Sequence, residues 1–258
     1  MKKRLLLLLF IAAQVSSTTA QEYGSVSFIK RIFNPDQDNK IYKRDREFQF
    51  DYQYIKNGTS YWVSLHDNAD DDFDLIADTV KDQPNLIQQI SFKVIQPEPA
   101  MGRTNKYQSE MLIRFDPITY TEEWTGLIEN KYNVWLHPPR RFLFNILELN
   151  PYPYVKYPLV IGKQWQDSMS IGDHWSDPRW KVWKGRIVNK YTYEIKGRTS
   201  ISIEGKELPC WIIQSSAKSS IGDTQLQSYF NEEYGFVKLD YTNIDGSKII
   251  LKVKKLPI

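Results

Sequence analysis

The densest set of side chains able to do chemistry is Asp173-His174-Trp175-Ser176-Asp177, followed by Arg179, Trp180 and Trp183. An imidazole between two carboxylates suits zinc or manganese, or an acid–base pair, so Asp173, His174 and Asp177 are the candidate metal ligands. The same residues fit turn chemistry, with Asp173 and Asp177 capping turns ahead of Trp175 and Pro178. Neither an H-E-x-x-H helix nor a G-x-S-x-G elbow occurs in the chain. A second cluster is Trp135-Leu136-His137-Pro138-Pro139-Arg140-Arg141-Phe142. Adjacent guanidinium groups beside aromatic rings can clamp a carboxylate or phosphate, because the planar fork matches two oxygens and stacks on π faces. Trp135, His137, Arg140 and Arg141 are thus candidates for an anionic ligand head, against a plainer reading in which the arginines pair with Glu129 or Glu148. Trp175, Trp180 and Trp183 stand among charged residues, where they can line a pocket or stack on sugars. Trp62, Trp124 and Trp211 lie in strand-like patterns and are expected in the core.

Two other features invite chemistry and lose it on inspection. The run Asp67, Asp70, Asp71, Asp72 and Asp74 looks like a calcium loop, but an EF-hand needs Gly at its sixth position and Glu at its twelfth. Counted from Asp67, those places hold Asp72 and Asp78. Carboxylates at a helix start explain the run more simply. Cys210 is the only cysteine, so no intramolecular disulfide forms. Between Pro209 and Trp211 it reads as a buried, inert thiol.

The elements that must position these residues follow an N-terminal leader. Lys2, Lys3 and Arg4 form a basic start, Leu5 to Ala13 an apolar run, and Thr18-Thr19-Ala20 a small-residue cleavage site, the pattern of an export signal cut after Ala20. The apolar run is shorter than the ~20 residues a transmembrane helix needs. Without the leader's three basic residues the 34 Lys and Arg fall to 31, equal to the 31 Asp and Glu. A neutral chain with interspersed signs argues against nucleic acid, whose binders concentrate Lys and Arg on one face. The expected product is an exported protein, periplasmic or extracellular, with no transmembrane anchor and no implied cofactor.

Alternation of aromatic and polar residues makes the chain mainly β. Phe48, Phe50, Tyr52 and Tyr54 alternate up to Asn57-Gly58, a tight hairpin pair, and Tyr61, Val63 and Leu65 alternate after it. Between Asp70 and Gln89 the spacing of Phe73, Ile76, Ala77 and Val80 predicts one short helix near residues 70–83, stopped at Pro84. Strands resume at Ser91 to Ile95, at Gln108 to Phe115 and after the Asp116-Pro117 turn. Five prolines between Pro138 and Pro158 interrupt regular structure. A boundary falls there, giving an N-terminal region 21–150 and a C-terminal β region 151–258, as two units or one. From Tyr191 onward, Gly197, Gly205, Tyr234-Gly235 and Asp245-Gly246 separate alternating runs into an antiparallel meander.

Gly162-Lys163-Gln164-Trp165, Ile203-Glu204-Gly205-Lys206-Glu207, Cys210-Trp211-Ile212-Ile213, Tyr229-Phe230 and Tyr234-Gly235-Phe236-Val237-Lys238-Leu239 resemble the strand succession of TapB-like exported bacterial proteins of unknown function. The resemblance spans about Tyr157 to Leu256. It implies an antiparallel sheet curled into a half-barrel, or two packed sheets, similar to periplasmic lipoprotein carriers, and it carries over no functional residue. The expectation is a non-enzymatic binder of a lipid or other apolar or amphiphilic molecule in a β concavity. The alternatives are a carbohydrate-binding or adhesion module on the Trp175 to Trp183 loop, and a metal-assisted hydrolase at Asp173, His174 and Asp177.

Overall fold

Aromatic residues on alternate positions of Glu47–Lys56 build the strand on which the whole sheet branches, β1, with Phe48, Phe50, Tyr52 and Tyr54 all buried. A computed structural model describes residues 39–66, 72–80, 85–96 and 108–257. The export leader and Asp67, Asp70 and Asp71 lie outside them. The remaining strands are β2 (Thr59–Leu65), β3 (Phe73–Ala77), β4 (Gln89–Ile95), β5 (Ser109–Asp116), β6 (Ile118–Glu129), β7 (Asn133–Leu136), β8 (Tyr154–Lys156), β9 (Gln164–Ile171), β10 (Ile187–Ile203), β11 (Lys206–Ser219), β12 (Gly222–Asn231), β13 (Gly235–Thr242) and β14 (Lys248–Lys255).

They form one antiparallel sheet in the order β8-β7-β6-β5-β4-β1-β14-β13-β12-β11-β10-β9, with β2 and β3 branching from β1. The first half of β1 pairs with β4 and its last residues with β2, while β14 runs along its other side. Asn57 and Gly58, both at positive φ, close the expected β1–β2 hairpin. The end strands β8 and β9 share no ladder, yet Tyr154 of β8 meets Trp165 of β9 and Tyr193 of β10 at ring distances of 5.9 and 5.5 Å. The sheet is therefore curled almost into a barrel, in line with the expected β class.

The helix expected near residues 70–83 is absent from the described part of that segment, where Phe73–Ala77 is β3, in register with β2 from Leu65↔Phe73 to Tyr61↔Ala77. Phe73 and Leu75 also fit a period of two, and pairing to β2 satisfies backbone groups that a single short helical turn leaves open. The carboxylates read as a helix start act otherwise: Asp74 and Asp72 meet His66 at 2.7 and 3.4 Å, and Asp72 meets Arg179 at 3.7 Å.

The curled sheet is filled by its own chain. Phe142–Leu149 forms a 3₁₀ helix inside it, apolar on almost every side and buried except at Asn145. Phe144 stacks on Phe115 at 5.7 Å and meets the edge of Tyr52 at 5.5 Å, and Phe142 meets Phe115 at 5.4 Å. At its C-terminal end the Leu149 carbonyl accepts from Asn189 Nδ2 of β10 and Thr224 Oγ1 of β12, at 3.0 and 2.8 Å. The Asn150 amide donates to the carbonyls of Gln225 and Thr242, tying in β13. At the opposite side Tyr42 Oη accepts the Phe236 N–H, and a side chain at Gly235 would collide with that hydroxyl, so glycine is required there for space as well as for its positive φ.

Phe144→Ala empties a site with no exposed surface. It is expected to lower the unfolding free energy by about 3–5 kcal/mol, which chemical denaturation would read as a reduced midpoint with an unchanged slope.

Candidate functional site

Arg140 is where two of the sequence clusters meet. Pro138 and Pro139 hold the chain extended ahead of the 3₁₀ helix and deliver Arg140 against β6. Its backbone N–H and Nε donate to Glu123 at 2.7 and 3.1 Å, a further nitrogen donates to Thr125 Oγ1 at 3.4 Å, and Glu148 lies at 3.9 Å. The guanidinium also sits over the ring of Trp175, 5.7 Å from its centre, linking the 135–141 segment to the 173–183 loop. Tyr152 Oη donates to the Glu148 carboxylate, and its ring lies 4.9 Å from His137 and 5.5 Å from Trp135. Trp135, His137, Arg140 and Trp175 therefore converge with Glu148, which the sequence offered as an arginine partner, and with Glu123 and Tyr152, which it did not single out.

Arg141 goes elsewhere. It donates to Thr121 Oγ1 at 2.7 Å and to the Glu122 carbonyl, and covers the Phe142 ring. The adjacent arginines thus do not form one clamp. Glu129, offered as a partner for them, accepts instead from the backbone N–H groups of Lys40, Ile41 and Tyr42.

The 173–183 loop is held by its own polar groups. Asp173 accepts from the Gly185 N–H at 2.7 Å, and Asp177 is forked by Arg179 at 2.6 to 3.0 Å. That pairing, through its hydrogen bonds, keeps the Asp177 carboxyl below the usual range although burial works against it. His174 is exposed, its ring tilted against that of Trp175 at 5.1 Å. Among the described residues no group of three or more His, Cys, Asp or Glu is arranged so that it could hold a metal ion. Trp180 and Trp183, expected as an exposed or pocket-lining pair, are each only 8% exposed and belong to the core, and Trp175 is half-buried. Trp124 departs the other way: expected in the core, it is 37% exposed on β6, with its N–H on Glu122. Cys210 is buried, its thiol pushed up to about 11 by desolvation.

Open concavities occur on the outward face of β9–β11. Two grooves of about 650 and 590 Å³ adjoin there, sharing Gln166 and Thr192. Register sets the outward side chains in rows: Ser168, Lys190 and Lys218; Gln166, Thr192 and Ser216; Gln164, Glu194 and Gln214. The rows continue onto β12 through Asp223, Gln225 and Gln227. Thr192 and Ser216 share a hydroxyl hydrogen bond at 2.8 Å. The glutamine, serine and threonine side chains of this surface can both donate and accept, while Lys190 and Lys218 only donate and Glu194 and Asp223 only accept. Its signal in the sequence was the polar half of the same alternation whose apolar half marked the strands.

Solved structures similar to the chain are a hypothetical lipoprotein, YmcC, from Escherichia coli, at 11% identity and a TM-score of 0.35 over 90% of this chain and 97% of that one. A Bacteroides fragilis protein described as exported, with a YmcC-like fold, matches at 7% and 0.44 over 83% and 96%. A Parabacteroides distasonis protein described as a lipoprotein matches at 10% and 0.44 over 85% and 100%. No family profile matches the chain, and no curated protein does. Likeness at this level carries no functional argument.

Burial dominates the electrostatics of the Arg140 cluster. Burial raises the carboxyls of Glu123 and Glu148 above the ordinary 4.5, while Arg140 pulls both down. Burial also drives His137 well below its usual value, with the Arg140 charge adding to it. A carboxyl whose folded pKa stands above its unfolded one favours the folded state below about 4.5 and loses that contribution as pH rises through the folded value. Glu148→Gln should therefore flatten the fall of stability with rising pH above 4.5, as followed by denaturation at a series of pH values. Arg140→Ala leaves two buried carboxyls without their cation and should cost about 3–5 kcal/mol.

Proposed function

We propose that this chain is an exported, non-catalytic binding protein whose ligand is hydrophilic and rich in hydroxyl groups, a carbohydrate chain, held across the outward face of β9–β11. The observation that carries this reading is the pair of adjoining grooves of about 650 and 590 Å³, in whose lining glutamine, serine and threonine side chains alternate with charged and aromatic ones. Volumes of this order suit small ligands or a few sugar units. Glutamine amides present two donors and an acceptor, the complement of a sugar's neighbouring hydroxyls. The inward apolar face, where a lipid would sit, is occupied by the 3₁₀ helix and by Trp135, Tyr152, Tyr154 and Tyr193, all fully buried. This moves a glycan reading away from the Trp175 to Trp183 loop, whose indoles are in large part core.

Export is supported by the leader Met1 to Ala20, with its basic start and apolar run. Among the described residues no helix is long and apolar enough to cross a membrane. The TapB-like strand succession bears on the fold of β9–β14 and adds nothing on the ligand.

The test is titration with neutral oligosaccharides followed by chemical-shift mapping and calorimetry. Shifts are expected at Gln164, Gln166, Thr192 and Gln214, and Gln166→Ala combined with Gln214→Ala should weaken binding about tenfold, as for the loss of one or two net hydrogen bonds. Shifts centred on Trp175 and Trp183, or a stoichiometric lipid in an organic extract with no glycan binding, would overturn it.

A further inference from the structure

Lys190 and Lys218 are directly opposite one another on β10 and β11, both exposed, on the outward face. Opposed residues on neighbouring antiparallel strands have Cβ atoms about 4.5–5.5 Å apart, and like charges so placed disfavour the sheet. Elsewhere the sheet answers several of its lysines with acids. Lys196 meets Glu194 and Lys238 meets Asp240 two residues away, each at 2.7 Å, and Lys56 and Lys254 meet Asp245 and Asp51 at 3.0 and 3.2 Å. Among the described residues neither Lys190 nor Lys218 has an ion pair. Asp223 stands opposite Lys218 on β12 without bridging to it. Asp167 falls on the other face of β9 by strand alternation, where its charge acts on Tyr191 and Tyr193.

The two ammonium groups line the larger groove beside Gln166, Ser168 and Thr192, with Asp167 and Tyr191 completing its lining. Two point charges with three rotatable donors each, next to neutral hydrogen-bonding groups, match an anionic substituent on a hydroxyl-rich chain. We infer that Lys190 and Lys218 together seat a carboxylate of an acidic polysaccharide, which makes the ligand of the β9–β11 face anionic. This inference rests on the binding role proposed for that face.

The discriminating experiment is calorimetry with a glucuronate-containing oligosaccharide and with the same oligosaccharide after its carboxyls are reduced to alcohols. The wild-type protein is expected to bind the acidic form at least tenfold more tightly. Lys190→Gln and Lys218→Gln should each weaken that binding about tenfold, the loss of one charge-assisted contact, and leave the reduced form unaffected. Raising salt from 50 to 500 mM should erode the preference, because exposed charges are screened. Both variants should melt no lower than wild type, since a like-charge contact is relieved. Equal affinity for the two forms, with Gln166→Ala weakening both, would overturn this inference and leave the binding role of the face standing. Binding of neither form would overturn both. Sulfated or phosphorylated oligosaccharides binding where the carboxylated one does not would overturn the carboxylate assignment.

Discussion

A curled sheet must fill its own hollow, and here a single carbonyl does much to decide how. Leu149, at the end of the 3₁₀ helix, accepts hydrogen bonds from Asn189 and Thr224 on two different strands. A helix end leaves carbonyls without partners, and inside a protein these must be met by other groups. By meeting this one from β10 and β12, and by spending the Asn150 amide on two strand carbonyls, the fold fixes the depth and direction of the helix. Phe142 and Phe144 then land on Phe115, and Arg140, just upstream, is carried to Glu123. The filled interior follows, and with it the displacement of any binding surface to the outside of the sheet.

The Arg140 cluster shows how residue types that look catalytic can be used to lock a fold. Two carboxyls, a guanidinium, a phenol and an imidazole gather within one buried region, a composition that would suit an acid–base site. Glu123 takes two donors from Arg140, and Glu148 takes the Tyr152 hydroxyl, contacts that hold the entrance to the 3₁₀ helix, whereas the buried His137 Nδ1 has no partner among the described residues. A buried charge set of this kind costs desolvation that only complete pairing offsets. Where the pairs are made, they fix the local geometry.

The strands were readable because period-two alternation is dense in this chain: β1, β13 and β14 fall where the alternating residues place them, whereas Gly197, expected to separate two runs, is a bulge inside the single strand β10. The segment around Phe73 was misread because its apolar residues satisfy periods of 3.6 and 2 alike, and only the presence of β2 beside it decides between them. Trp180 and Trp183 were misplaced for a related reason. Their charged neighbours suggested exposure, whereas Asp177 turns the loop back on itself and directs both indoles inward. The convergence of Arg140 with Glu123 and Trp175 joins segments far apart in sequence and leaves no local trace. The polar grid on β9–β11 was written in the sequence, but which polar residues stand side by side depends on register, which no single strand reveals.

The pairing of β1 with β14 sets Phe50 beside Val253 and Tyr54 beside Ile249. Strand β1 is the junction of the whole sheet, so one flank of the hub stays open until nearly two hundred further residues have emerged. Contacts between residues so distant in sequence form slowly, because loop closure must precede their reward. Until then β1 shows an unpaired, aromatic-rich edge of the kind that invites association with other chains. A protein threaded in order through an export channel would carry that edge through most of its passage.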